Sequence, residues 1–130
     1  MPVIPRAHFG RTGHTSSRVI FGAAALGGMS PDRAIATLEL VADHGVNHLD
    51  VAAGYGNGRA ETNMAPWLAE HRGSVFLATK TGQRSGSAAR RELEESLTRM
   101  GVGSVDLIQL HNLVEPDEWD TAHEIGRAHV

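Results

Sequence analysis

Val46-Asn47-His48-Leu49-Asp50, preceded by Gly45 and followed by Val51-Ala52-Ala53-Gly54-Tyr55-Gly56, is the stretch that decides the fold. It reads as a short strand ending in a carboxylate, with a glycine-rich loop after it. Upstream, Ser30 can cap a helix that Pro31 and Asp32 open, with Ile35, Leu38, Val41 and Ala42 on one face and Gly45 as a left-handed stop. A further strand is predicted before it at 18–21, and turn residues Gly10-Arg11-Thr12-Gly13 predict a small hairpin at the N-terminus. Downstream, Pro66 is expected in the first turn of a weaker helix with Asn63 as its cap. Strands are predicted at 75–79 and 105–110. Between them a helix over 87–100 carries Leu93, Leu97 and Met100 on one face, a Glu95–Arg99 pair and a stop at Gly101. A last helix begins near Pro116.

The predicted strands end at Phe21, Asp50, Thr79 and Leu110, that is 29, 29 and 31 residues apart. Strand then helix at this steady spacing means right-handed βαβ units and a parallel sheet. Such a sheet is either open and doubly wound or part of an eight-stranded barrel, and periodicity does not choose between them.

Composition narrows the function. The 130 residues are 41% apolar and 21% charged, as in a soluble globular domain. A net charge of −3 is too small and too mixed to suggest nucleic acid as a partner, and no apolar run approaches the length of a membrane span. With no cysteine and no secretion-type N-terminal segment, a cytoplasmic protein is expected. Twelve residues are Lys or Arg, yet only Lys80 is a lysine, and Tyr55 is the single tyrosine. A solitary lysine among arginines suits a site needing a compact ammonium.

Asp50, Tyr55, Lys80 and His111 stand at or just after three consecutive predicted strand ends, and in parallel βα architecture these open onto one edge. Together they are the parts of a carbonyl reduction. A carbonyl that accepts hydride needs a proton donor at its oxygen, which a tyrosine can be. A nearby ammonium favours the phenolate left behind. A carboxylate supplies the ammonium's counter-charge, and a histidine can hold the carbonyl oxygen. Singly, each has a plainer role: Asp50 as a loop cap, Tyr55 as packing, Lys80 as a solvated charge, His111 as a loop histidine. Four on one edge favour the chemical reading.

Further stretches carry a resemblance. Phe9-Gly10-Arg11-Thr12-Gly13 with Val19-Ile20-Phe21-Gly22, then His48-Leu49-Asp50-Val51-Ala52-Ala53-Gly54-Tyr55-Gly56 with Glu61, then Leu77-Ala78-Thr79-Lys80, and Asp106-Leu107-Ile108-Gln109-Leu110-His111 resemble the aldo-keto reductase superfamily. The likeness is to the branch with an N-terminal hairpin that includes potassium-channel β-subunit-like members, and it covers Arg6 to about His123. It implies an α/β fold of the (β/α)8 TIM-barrel family, here about four βα units after a hairpin. It also implies an oxidoreductase that reduces aldehydes or ketones, small-molecule carbonyl substrates, with NADPH or, as the second option, NADH. Tyr55 would donate the proton, Lys80 tune it, Asp50 pair with Lys80, and His111 orient the carbonyl. Gly22, Ala23 and Asp50 would lie near the cofactor, and Tyr55, His111 and Asn112 near the substrate. No metal is implied. Val51 stands where threonine is usual, and Ala60 where serine often precedes the Glu. A second reading of the same fold is a nucleotide-sensing regulatory subunit with little turnover.

Other signals are weaker. Gly54-Tyr55-Gly56-Asn57-Gly58-Arg59 lacks the third small residue of a dinucleotide fingerprint. The segment ending Lys80-Thr81 has Thr79 where a phosphate loop needs glycine. His44 and His48 share no face for a metal, because Gly45 intervenes. Trp67 and Leu68 are expected to pack a helix on the sheet, and Trp119 either to line a pocket or to pack a helix. Residues 1–123 are expected to form the barrel portion. Residues 124–130, Glu124-Ile125-Gly126-Arg127-Ala128-His129-Val130, coincide with the in-frame translation of a sequencing adapter and are expected to be a non-native tail. Four strands alone are expected to leave two open edges, hence marginal stability or self-association and no useful cofactor affinity.

Overall fold

A computed structural model describes residues 3–127. A hairpin of β1 (Arg6–His8) and β2 (Thr15–Ser17) precedes four strands, β3 (Phe21–Gly22), β4 (His48–Asp50), β5 (Phe76–Thr81) and β6 (Leu107–Leu110). These four form one parallel sheet in the order β3-β4-β5-β6. Helices α1 (Pro31–Asp43), α2 (Arg59–His71) and α3 (Gly86–Met100) connect them, and α4 (Pro116–Arg127) follows β6. Strand ends at Gly22, Asp50, Thr81 and Leu110 keep the repeat, at 28, 31 and 29 residues. The helices start and stop on local signals. Ser30 and Ser85 accept from the backbone N–H of Arg33 and Ala88, and Gly101 ends α3 at φ +66°.

Leu49 and Leu77 point from the sheet into the helices, where Leu26, Leu38, Met64, Trp67, Leu68 and Met100 close a core. Trp67 and Leu68 therefore pack α2 as expected. By strand alternation the other face carries His48 and Asp50 on β4, and Phe76, Ala78 and Lys80 on β5.

Several local expectations are corrected. The first parallel strand is only two residues long, because Arg18 N–H still donates to Pro5 O at 2.8 Å and Ser17 Oγ to Val19 O at 2.7 Å. These bonds hold 18–19 in a bend and keep 18–20 outside the sheet. Helix α2 begins at Arg59, four residues before the expected cap Asn63. Asn63 lies inside the helix, and its amide donates to Leu26 O at 2.7 Å and Met29 O at 3.1 Å. Pro66 is interior too; its missing N–H faces Thr62, and both residues are exposed, where water can serve the orphan carbonyl. β6 starts at Leu107 because the Asp106 carboxylate is taken by Leu77 N–H and by Arg72. Arg99 does not pair with Glu95 but turns inward to Glu61.

Candidate active site

The C-terminal edge of the sheet brings Asp50, Lys80, Tyr55 and His111 together. Lys80 is the hub. Its Nζ lies 3.1 Å from Asp50 Oδ2, donates to Val51 O at 3.0 Å, and donates to Tyr55 Oη at 3.2 Å. An ammonium donates and cannot accept; two of its hydrogen bonds go to Val51 O and Tyr55 Oη, and the Asp50 carboxylate balances its charge. Tyr55 Oη accepts from Lys80, which leaves the phenol's own hydrogen free for another acceptor. The His111 ring stands edge-on to Tyr55 with centroids 5.6 Å apart. Tyr55 and His111 are both half-buried, so one side of the cluster opens outward.

Each member is held by its segment. Asp50 Oδ1 accepts from Gln109 Nε2 at 2.8 Å, so the carboxylate is fixed from both sides. Val51 contributes a backbone carbonyl, and a valine in the usual threonine's place leaves that contact intact. Tyr55 begins a tight turn, Tyr55–Gly58, in which Gly56 and Asn57 have φ of 60° and 53°. Gly56 is required for a second reason: a Cβ there would sit 2.9 Å from Gly27 Cα. His111 N–H donates to Thr81 O at 2.8 Å, and its own carbonyl accepts from Arg84. The Arg84 guanidinium also donates to the Thr81 and Gln83 carbonyls and pairs with Glu118 at 3.2 Å. It thereby ties the loop after β5 to the loop after β6.

Gly22 closes β3 opposite Asp50, and no atom lies within 4 Å of where its Cβ would be, so there is open space beside the carboxylate. Ala23 is buried behind it. Asn112 follows His111 on the exposed surface with φ 54°. Trp119 is not at this edge of the site. It lines a cleft of about 390 Å³ with Leu93, Ile108, Leu110 and Ala122, between α3, β6 and α4.

The family described as Aldo/keto reductase matches residues 18–125. The chain belongs to the aldo/keto reductase family. An oxidoreductase of Bacillus subtilis, YqkF, itself uncharacterised, is 30% identical over 120 residues, 83% of this chain and 39% of that protein. A probable voltage-gated potassium channel subunit beta of Arabidopsis thaliana is 31% identical over 135 residues, covering 93% and 40%. The holo form of the aldo-keto reductase AKR11C1 from Bacillus halodurans superposes with a TM-score of 0.81 at 24% identity, over 96% of this chain and 47% of that one. The chain thus spans about two fifths of its curated relatives, and its parallel sheet matches half of an aldo/keto reductase (β/α)8 barrel.

For an aldo/keto reductase chain, the sequence located the four edge residues but missed their supports. A signal for Gln109 exists, since it shares a strand face with His111 two residues on. Arg84 was not, since its targets are backbone carbonyls that carry no sequence signal. Among the described residues no helix is long and apolar enough to cross a membrane.

Proposed function

We propose that the whole protein reduces aldehydes or ketones to alcohols with a nicotinamide cofactor, NADPH before NADH. Its family and its oxidoreductase relatives support an oxidoreductase. The observation that carries the finer reading is the Lys80 hub. An ammonium that donates to Tyr55 Oη stabilises phenolate and leaves the phenolic hydrogen available. In this reading Tyr55 gives its proton to the carbonyl oxygen as the carbonyl carbon takes hydride, so the C=O bond becomes H–C–O–H. Lys80, balanced by Asp50 and held by Val51 O, stabilises the phenolate until it is reprotonated. His111 donates to the carbonyl oxygen and fixes its direction, and Asn112 borders the substrate beside it. The residues fit the cofactor: Gly22, with open space at its Cβ, Ala23 and Asp50 would flank the nicotinamide end, and when bound this group supplies the hydride.

Tyr55→Phe in the full-length protein tests this. Turnover of an aldehyde panel should fall by a factor of about 10² to 10⁴ while cofactor binding persists. Full turnover in Tyr55→Phe would overturn the assignment. The likeness to a channel β-subunit favours one second reading, a nucleotide-sensing regulatory subunit. It is preferred if the full-length protein binds NADPH yet turns over no carbonyl. The proposed tail, residues 124–130, overlaps the end of α4, which runs to Arg127. If it is non-native, its deletion leaves the melting temperature unchanged; loss of folding would argue the segment native.

A further inference from the structure

We propose that the pair formed by buried Glu61 and half-buried Arg99 is a positioning device that sets the separation between Tyr55 and Lys80. The inference rests on the reading of Tyr55 as proton donor and adds two residues to it.

Glu61, in the first turn of α2, is fully buried. Its Oε2 accepts from Thr79 Oγ1 at 2.8 Å, and its Oε1 from Ser96 Oγ at 3.0 Å and Arg99 Nε at 2.9 Å. Arg99 Nη2 closes the pair at 2.8 Å. Burying a carboxylate costs desolvation even when a guanidinium pairs with it, so packing alone does not call for a charged residue at Glu61. What the pair touches suggests why it is present. Thr79 immediately precedes Lys80 in β5. Gly58 ends the turn that begins with Tyr55, and at φ +92° it lies against the Arg99 side chain. A Cβ at Gly58 would stand 2.9 Å from Arg99 Cδ and 3.1 Å from Nε. Arg99 therefore braces the loop carrying Tyr55 directly and holds the strand carrying Lys80 through Glu61. Gly27 backs the same loop on the other side at Gly56. The loop is clamped between a glycine backbone and a guanidinium, and the 3.2 Å contact of Lys80 Nζ with Tyr55 Oη is what the clamp maintains.

In the full-length protein, ¹³C-labelled tyrosine gives an NMR reporter for Tyr55, the single tyrosine of these 130 residues, its signal identified by its absence in Tyr55→Phe. Lys80→Met defines where that signal goes when the ammonium is lost. In Arg99→Ala the signal should move toward its Lys80→Met position, and in Arg99→Lys, which keeps the charge but loses the flat contact with Gly58, it should move part of the way. A Tyr55 signal at its wild-type position in either folded variant overturns the proposal; Arg99→Lys serves alone if Arg99→Ala does not fold. In the full-length protein, Arg99→Ala should lower kcat by between about 10- and 100-fold with KM unchanged, as for a misplaced reacting group. Equal kcat in wild type and Arg99→Ala would likewise overturn it. The two readings fail separately: an active Tyr55→Phe variant removes the donor role, whereas the NMR comparison judges the clamp without any turnover.

Discussion

His48 and Asp50 lie two residues apart on the same face of one strand, and Phe76 and Lys80 four apart on the same face of the next, yet the two ends of that face are opposite environments. At the N-terminal end His48 and Phe76 are buried under the hairpin. Phe9 packs edge-on to both rings, with centroids at 4.8 and 5.3 Å, and His14 stacks on Phe76 at 4.9 Å. Ser16 Oγ reaches His48 Nδ1 at 2.9 Å, and Asn47 is tied to Ser17 and Thr15. At the C-terminal end Asp50 and Lys80 meet in a half-open charged cluster with Tyr55 and His111. One end is plugged by aromatic packing, and the other is polar and left open. In parallel βα architecture the closed end holds the fold and the open end is free for chemistry.

The sharpest way to break this contrast is to cut each end once. Phe76→Ala removes the ring on which the plug is built and should cost about 3–5 kcal/mol of folding stability by denaturant unfolding. Lys80→Met at the open end should leave stability within about 1 kcal/mol of wild type, while carbonyl turnover by the full-length protein falls at least as far as the Tyr55→Phe value. If Phe76→Ala were harmless, or if Lys80→Met unfolded the chain, the division of labour between the two ends would be wrong.

Acid should distinguish the ends next. Burial, and then the charge of His14, push the His48 pKa below its ordinary value, against smaller upward pulls from Asp50 and Asp106. The unfolded chain then takes up a proton that the folded chain refuses. This contribution to stability is complete above about pH 6.5 and is lost as pH falls from there through the folded value. His48→Phe should flatten that limb of the stability curve; a limb unchanged in this variant would place its origin elsewhere. A second loss should follow at lower pH. Burial disfavours the Glu92 carboxylate, but hydrogen bonds from Thr81, Gly82 and Gln83 and the charge of Arg99 outweigh it, and the pKa lies below its ordinary value. Its stabilisation is present above about pH 4.5 and fades as pH falls through the folded value, and Glu92→Gln should remove that step alone.

The same contrast explains what could be read from the sequence. The repeat of strand ends and the four edge residues were legible, because parallel βα units must place successive strand ends on one side. The hairpin was legible from Gly10 and Gly13, which both take positive φ. The plug was not: His48 and Phe76 look like ordinary strand residues until the hairpin lies on them. Helix α2 was misread because Pro66 is a strong local breaker, and the tertiary contacts of Asn63 and Glu61 override it. Arg99 was assigned to Glu95 by the four-residue helix rule, which knows nothing of a buried carboxylate on a neighbouring helix. Local rules failed wherever a side chain reached across elements.

The smallest predicted effect compares two arginine–glutamate pairs near α3. Arg90 Nε and Glu94 Oε1 are 3.1 Å apart, but both side chains are about 60% exposed. Such a pair is screened and costs side-chain entropy, so Glu94→Ala should change stability by about 0.5 kcal/mol or less. Arg84 and Glu118 meet at a similar 3.2 Å, but Arg84 is largely buried, and its other donors hold the carbonyls of Thr81, Gln83 and His111. Glu118→Ala frees one side of that guanidinium and should cost only about 1 kcal/mol, since Glu118 is itself 40% exposed. Its effect should instead appear at His111, as a changed ring NMR signal and a weaker hold on the carbonyl oxygen, read as raised KM in the full-length protein. If Glu94→Ala and Glu118→Ala prove equally silent at His111, then Arg84 holds the two loops through backbone carbonyls alone, and Glu118 is as incidental to the open end as Glu94.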